Sequence, residues 1–338
     1  MSIPAVGHLS SVLIAKEATY GTAPAAATAK YDIADFSIDQ NQSTIDDPNM
    51  NSSGSSPRSI EPGLQFVTFS FRMRWGYAGC EEMMRFLMPT YSQATVDTSA
   101  RDHTFKEGIA LSGYTFDVSV GNIPASKVTR LVGCYCTGYR FTLEAGAIVL
   151  EITGAAASAT PNTTPMTGSL TVGNILAIPF HGMLRSAGNL KDGSGIATET
   201  NIYIRSIALA VTYPHDTQRS YMGSVNADSP VRNGAMMARI EFEAQWDLNM
   251  YVLMAALQTN VLGAGGLKIL FQHGTLIGAT TAKSEFELTA AAPVPDGYSK
   301  AIPGPGVITQ KYAYKLQYNV AAASCLVVRN RSVTAALA

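Results

Sequence analysis

The 338 residues hold 24 Lys and Arg against 25 Asp and Glu, a net charge of −1, and are 46% hydrophobic but only 14% charged. Near-neutrality excludes a chain drawn to nucleic acid or anionic membrane by bulk charge. No apolar run reaches the roughly 18 residues of a membrane-spanning helix, and so low a charged fraction fits either an all-β chain rich in Thr, Ser and Gly or one that hides surface in partners.

In chain order, MSIPAVGHLSS lacks the basic and apolar regions of a signal peptide, so synthesis in a reducing cytoplasm is expected. ADFSID (34–39) reads as a strand, and the polar stretch Gln40–Gly63 as a long loop. FVTFSFRMRW (66–75) alternates: Val67, Phe69, Phe71, Met73 and Trp75 share one face, and Thr68, Ser70, Arg72 and Arg74 the other. That is the period of a strand buried on one side. A short helix follows, with Cys80, Met83, Met84 and Leu87 in one stripe and Glu81 and Glu82 at its positive end.

Cys134 and Cys136 fall on one face of a strand, and Cys80 and Cys325 are isolated. With no histidine near to complete a zinc set, all four read as buried or half-buried free thiols.

The second half repeats the first. At an offset of 171, Trp75 meets Trp246, and Val67, Phe69 and Phe71 meet Ala238, Ile240 and Phe242 of MARIEFEAQW. Phe36, Ile38 and Gln40 meet Ile207, Leu209 and Val211 across a second polar loop, Thr212–Gly234. A second helical stripe holds Met250, Leu253, Met254 and Leu257. The closing strands, beginning at Tyr139 and Tyr314, align at an offset of 175, which places extra loop length in the second half.

The organisation expected is therefore a first domain at 1–157, a linker at 158–169 and a second domain at 170–338. Each is a mainly β sandwich or partial barrel with a short flanking helix and a long polar loop. Residues 1–157 carry a net −4 and residues 158–338 a net +3, which would favour unlike neighbours in an assembly.

Chemistry is sparse. The five histidines are scattered, and neither HExxH nor GxSxG occurs. The glycines at 263–266 and 304–306 lack a phosphate-loop lysine. The expectation is no enzyme, no cofactor and no metal set.

The phrase KEATYGTAP (Lys16–Pro24), followed by strand, polar loop, FVTFSFRMRW and helix, resembles the start of tail tube (major tail) proteins of long-tailed bacteriophages. The resemblance implies orthogonally packed antiparallel sheets flanked by a helix. Neighbouring sheets join edge to edge into a barrel that lines a channel, and the rings stack into a tube. The tube surrounds a tape-measure protein, meets terminator and tip proteins at its ends, and conducts DNA. It also implies assembly in the host cytoplasm and a place in the virion tail.

Family members form six-fold rings of single domains, so two copies per chain imply a three-chain ring of pseudo-six-fold symmetry, or else a six-chain ring lined by one copy. The long loops would reach the adjacent ring through Asp46, Asp47, Asn49 and Arg58, and through Arg219, Tyr221, Asp228 and Arg232. Both wall strands, with Val67, Phe69, Phe71, Trp75, Ile240, Phe242 and Trp246 as core, would line one wall. Rival readings are a decoration or capsid-associated virion protein, a secreted carbohydrate-binding or adhesin module, and an outer-membrane barrel, the last two lacking the expected secretion signal.

Overall fold

The computed structural model describes residues 10–46, 60–108, 113–120, 127–144, 147–168, 182–187, 200–202, 204–216, 229–245, 266–277, 281–301 and 308–333. The first half runs β1 (Ser11–Lys16), β2 (Ala29–Asp32), β3 (Asp35–Asp46), β4 (Ile60–Arg74), α1 (Glu81–Leu87), β5 (Thr90–Thr95) and β6 (Arg101–Lys106). It continues through β7 (Tyr114–Ser119), β8 (Val128–Glu144), β9 (Ala147–Ala156) and β10 (Ser158–Asn162). The second half runs β11 (Gly182–Ala187), β12 (Thr200–Ile202), β13 (Ile204–Thr212), β14 (His215–Asp216), β15 (Val231–Arg232) and β16 (Met237–Gln245). It closes with β17 (Gly266–Leu276), β18 (Lys283–Ala290), β19 (Pro293–Ala301), β20 (Thr309–Leu316) and β21 (Val327–Ser332).

The fold is mainly β, with antiparallel sheets and one short helix among the described residues. Its central feature is a wall of eight strands in the order β3-β4-β9-β8-β13-β16-β20-β19. Alternation decides which side of the wall each residue faces. Val67, Phe69, Phe71 and Trp75 are buried, as are Ile240 and Phe242, whereas Arg74, Arg239 and Glu241 are exposed. Trp246 lies outside the described residues.

A second sheet packs on the apolar side of each quartet. It is β2-β1-β7-β8-β10 in the first copy and β12-β11-β17-β18-β21 in the second. Phe116 on β7 meets Phe69 and Phe71 edge-on, with ring centroids 5.4 and 5.9 Å apart, a favourable aromatic geometry. Phe86 of α1 joins them 5.0 Å from Phe116. Burying aromatics of this size drives the packing, each worth about 1.5–3 kcal/mol.

β8 serves both sheets of its copy: its first residues pair with β7 and β10, and its later ones with β9 and β13. The crossing falls at Gly133, where φ is +67°, a conformation that suits glycine. A Cβ there would lie 2.9 Å from the Ala157 Cβ and 2.9 Å from the Tyr20 ring. The Gly133 N–H donates to the buried Glu17 carboxylate at 2.7 Å, which also accepts from the Gly21 N–H and the Thr115 hydroxyl at 2.7 Å each. Glu17, Tyr20 and Gly21 all belong to KEATYGTAP, so that phrase ties the N-terminal strand to the bend in β8.

The pairing registers of the two halves recur, at offsets that differ in part from those read in the sequence. β3 and β13, and β4 and β16, keep the offset of 171. The closing strands do not keep 175. A bulge shifts the β8–β9 register between Cys136 and Gly138, and the same shift recurs in β19–β20 between Pro295 and Gly297. The offset there is 297 − 138 = 159, so Tyr139 corresponds to Tyr298. Tyr314 sits on β20, in the place of β9. Alternating strands that begin with Tyr are alike enough to mislead. The extra length lies in the first copy: residues 75–113 separate β4 from β7, while the shorter stretch 246–265 separates β16 from β17. The surplus holds the hairpin β5–β6.

Two more expectations change. The stretch at 158–169 is not all linker, because Ser158–Asn162 forms β10 and pairs with β8. The polar run after Asp39 is not all loop, because β3 continues to Asp46 and pairs with β4 as far as Asp46 opposite Ile60. Polar residues suffice there since Gln40–Thr44 are exposed and the ladder needs only backbone groups. The second helical stripe, with Met250 and Leu253, lies outside the described residues.

Replacing Gly133 with Ala forces a side chain into a strained, occupied position and is expected to cost about 1–3 kcal/mol. Urea unfolding should show a lower midpoint at unchanged slope; an unmoved midpoint would contradict the role given to this bend.

Candidate assembly interface

The wall is continuous because the copies meet edge to edge, β8 against β13. Gly138, Tyr139, Arg140, Phe141 and Thr142 stand opposite Thr212, Val211, Ala210, Leu209 and Ala208. The ladder extends one step further, where the Tyr213 N–H donates to the Thr137 carbonyl at 2.8 Å. Gly138 permits this approach, since a Cβ there would lie 3.0 Å from the Val211 carbonyl oxygen. On the apolar side Leu209 is 1% exposed, and Phe286 lies 5.4 Å from Phe141 and 5.2 Å from Trp75, so the second copy's outer sheet backs the joint.

A second strand pairing reinforces it. β6, from the hairpin found in the first copy, pairs with β21, with Arg101 opposite Ser332 and Phe105 opposite Val328. Asp102 accepts from Arg331 Nε at 2.6 Å and Nη2 at 3.0 Å, and from Arg329 Nη1 at 3.0 Å. The Lys106 ammonium donates to the Ala322 carbonyl at 2.8 Å. Asn330, fully buried, donates to the Tyr77 carbonyl at 2.9 Å and to Glu81 Oε1 at 2.8 Å. Burial by itself would raise the Asp102 carboxyl, but Arg331 and Arg329 together outweigh it and hold the group below its ordinary range. Glu287 is likewise held down against burial by Arg329 and Lys268.

The opposite side of the wall is polar and carries a broad open concavity. Arg140, Arg239 and Lys311 line it beside Glu241 and Glu243. Within it Arg239 pairs with Glu241 at 2.9 Å and reaches Asp296 at 3.0 Å, and elsewhere on this side Arg72 pairs with Glu151 at 3.0 Å.

Of the loop residues expected to act together, only Asp46 and Arg232 fall within the described residues. Asp46 ends β3, while Asp47, Asn49, Arg58, Arg219, Tyr221 and Asp228 lie outside the described residues. Arg232 sits on β15 with its guanidinium 4.7 Å from the centre of the Tyr213 ring, a cation–π arrangement at the end of the joint. Sequence reasoning missed Gly138 and the hairpin. The recurrence of Gly-Tyr at 138–139 and 297–298 is the signal that would have found the first. All four cysteines are buried free thiols, and burial pushes Cys80 and Cys325 up to about 12. No described helix is long and apolar enough to cross a membrane.

No family model and no curated protein matches the sequence. Among solved structures the chain is similar to a crystal structure of Hcp protein, at 12% identity over 45% of this chain and 98% of that one, with a TM-score of 0.26. So slight a likeness bears on neither fold nor function.

A carboxyl with a depressed folded pKa contributes its stability in full above its unfolded value, about 3.9 for Asp, and loses it as pH falls through the folded value. Asp102→Asn is therefore expected to cost about 1–3 kcal/mol at pH 7. In thermal unfolding across a pH series, its gap to the wild type should narrow as pH falls below about 4 and close only below the lower folded value. A gap that persists in acid would show that charge is not what Asp102 contributes.

Proposed function

We propose that this chain is a structural protein that assembles with copies of itself into rings, and that the rings stack as the tail tube of a long-tailed bacteriophage. The observation that carries the reading is the wall: the quartet β3-β4-β9-β8 is followed, edge to edge, by β13-β16-β20-β19. Such a joint is head to tail, and head-to-tail joints repeat until they close a ring or run on as a filament. One chain is then two steps of a repeating wall.

The polar concavity suits a lumen. A surface of clustered Lys and Arg would hold DNA by releasing its counterions. Here the cations are interleaved with Glu241, Glu243 and Asp296, which favours passage over retention. The ribbon of β3 and β4 beyond Val67, where β9 no longer pairs with β4, suits contact with the next ring. Two-stranded ribbons are marginal alone and gain from a partner. On this reading the channel encloses a tape-measure protein, the ends meet terminator and tip proteins, and the role is structural rather than catalytic.

The ring expected is three chains with pseudo-six-fold symmetry. Cryo-electron microscopy of the purified, concentrated protein, with symmetry left free in averaging, tests it. Rings of three chains stacked on one axis are expected. Six chains per ring would overturn the stoichiometry, and persistent monomers would overturn the function.

A further inference from the structure

The joint inside the chain specifies the joint between chains. Among the described residues, no strand pairs with the outer edge of β3 or of β19, the two ends of the wall. β3 is the first-copy equivalent of β13, and β19 is the second-copy equivalent of the wall half of β8. The wall therefore ends in the same two kinds of edge that meet within it.

Two paired observations show these edges as incomplete versions of the internal joint. Leu209 on β13 is 1% exposed, whereas its equivalent Ile38 on β3 is 37% exposed, a large apolar side chain at an edge. Gly138 on β8 is pressed by the Val211 carbonyl, whereas a Cβ on its equivalent Gly297 would meet nothing within 4 Å. The first position in each pair is covered by a strand that the second lacks. Charge agrees: Asp35 and Asp39 are exposed on β3, and the exposed Lys311 stands opposite Ser299 at the other end.

Resting on the reading of the chain as a ring former, we propose that β3 of one chain pairs antiparallel with β19 of the next copy, with Asp39 opposite Ser299. Transferring the β8–β13 register through the offsets of 171 and 159 sets Asn41, Gln40, Ile38 and Ser37 opposite Gly297, Tyr298, Lys300 and Ala301. Within the chain the internal joint carries a second strand pairing, β6 with β21, and chain connectivity holds it as well, so rings come apart into chains at the joint between copies.

Directly opposed residues in an antiparallel pair lie about 4.5–5.5 Å apart, within disulfide range, while a four-residue slip separates them by about 13 Å. The full chain carrying Asp39→Cys and Ser299→Cys, oxidised after concentration, is expected to give reducible covalent oligomers on a non-reducing gel. The out-of-register pair Asp35→Cys with Ser299→Cys should yield about tenfold less. The buried native thiols do not compete.

As a second measure, Gly297→Val should keep the melting temperature of the wild-type chain yet weaken oligomers by about tenfold or more, read by mass photometry. Equal cross-linking by both cysteine pairs, or normal assembly of Gly297→Val, while the wild type forms rings in micrographs, would overturn this joint and leave the function standing. A wild-type chain that forms no oligomer at all would overturn both.

Discussion

A strand at the edge of a sheet leaves a row of N–H and C=O groups without partners, and a protein must cover that row, guard it or use it. Here one such row is closed inside the chain by β8 meeting β13. Much of the architecture serves that contact. Gly138 gives the incoming backbone room, and Phe286 covers the seam together with Phe141 and Trp75. Each ladder hydrogen bond contributes only about 0.5–1.5 kcal/mol net. The seam therefore depends as much on the apolar surface it hides, Leu209 and Val211 above all.

The two copies are alike in pairing and unlike in what surrounds the pairing. The first carries the β5–β6 hairpin, which reaches the second copy's β21 and fixes it through Asp102, Arg329 and Arg331. That clamp turns two repeated domains into one body with shared sheets. It also makes the duplication more than a doubling: the internal seam is doubly held, while β3 and β19 end the wall among the described residues.

Much of this was legible in the residues. The alternation through Val67, Phe69, Phe71 and Trp75, and again through Ile240 and Phe242, identified both wall strands and their buried faces because period 2 is imposed by the pleat itself. The offset of 171 held wherever the copies have equal length. It failed beyond the hairpin, since alternation says which face a residue takes but not which strand lies beside it. That is why Tyr139 was matched with Tyr314 when bulge and register match it with Tyr298. Polar strands were illegible for a related reason: Gln40–Thr44 carry no apolar face, so only the ladder to β4 reveals them. Of the expected interface residues, Arg232 alone has a described side chain, and it stacks on Tyr213 at the seam.

The account stands on the claim that β13 is an interior strand of the wall and β3 its open equivalent. Hydrogen–deuterium exchange on the dilute, unassembled chain measures this directly, because amides protected on both edges of a strand exchange only through larger openings. Peptides spanning 204–212 should take up deuterium far more slowly than peptides spanning 35–46, although the two strands are copies of one another. Equal uptake by both would mean that β8 does not close the edge of β13, and that the wall ends where the first copy ends.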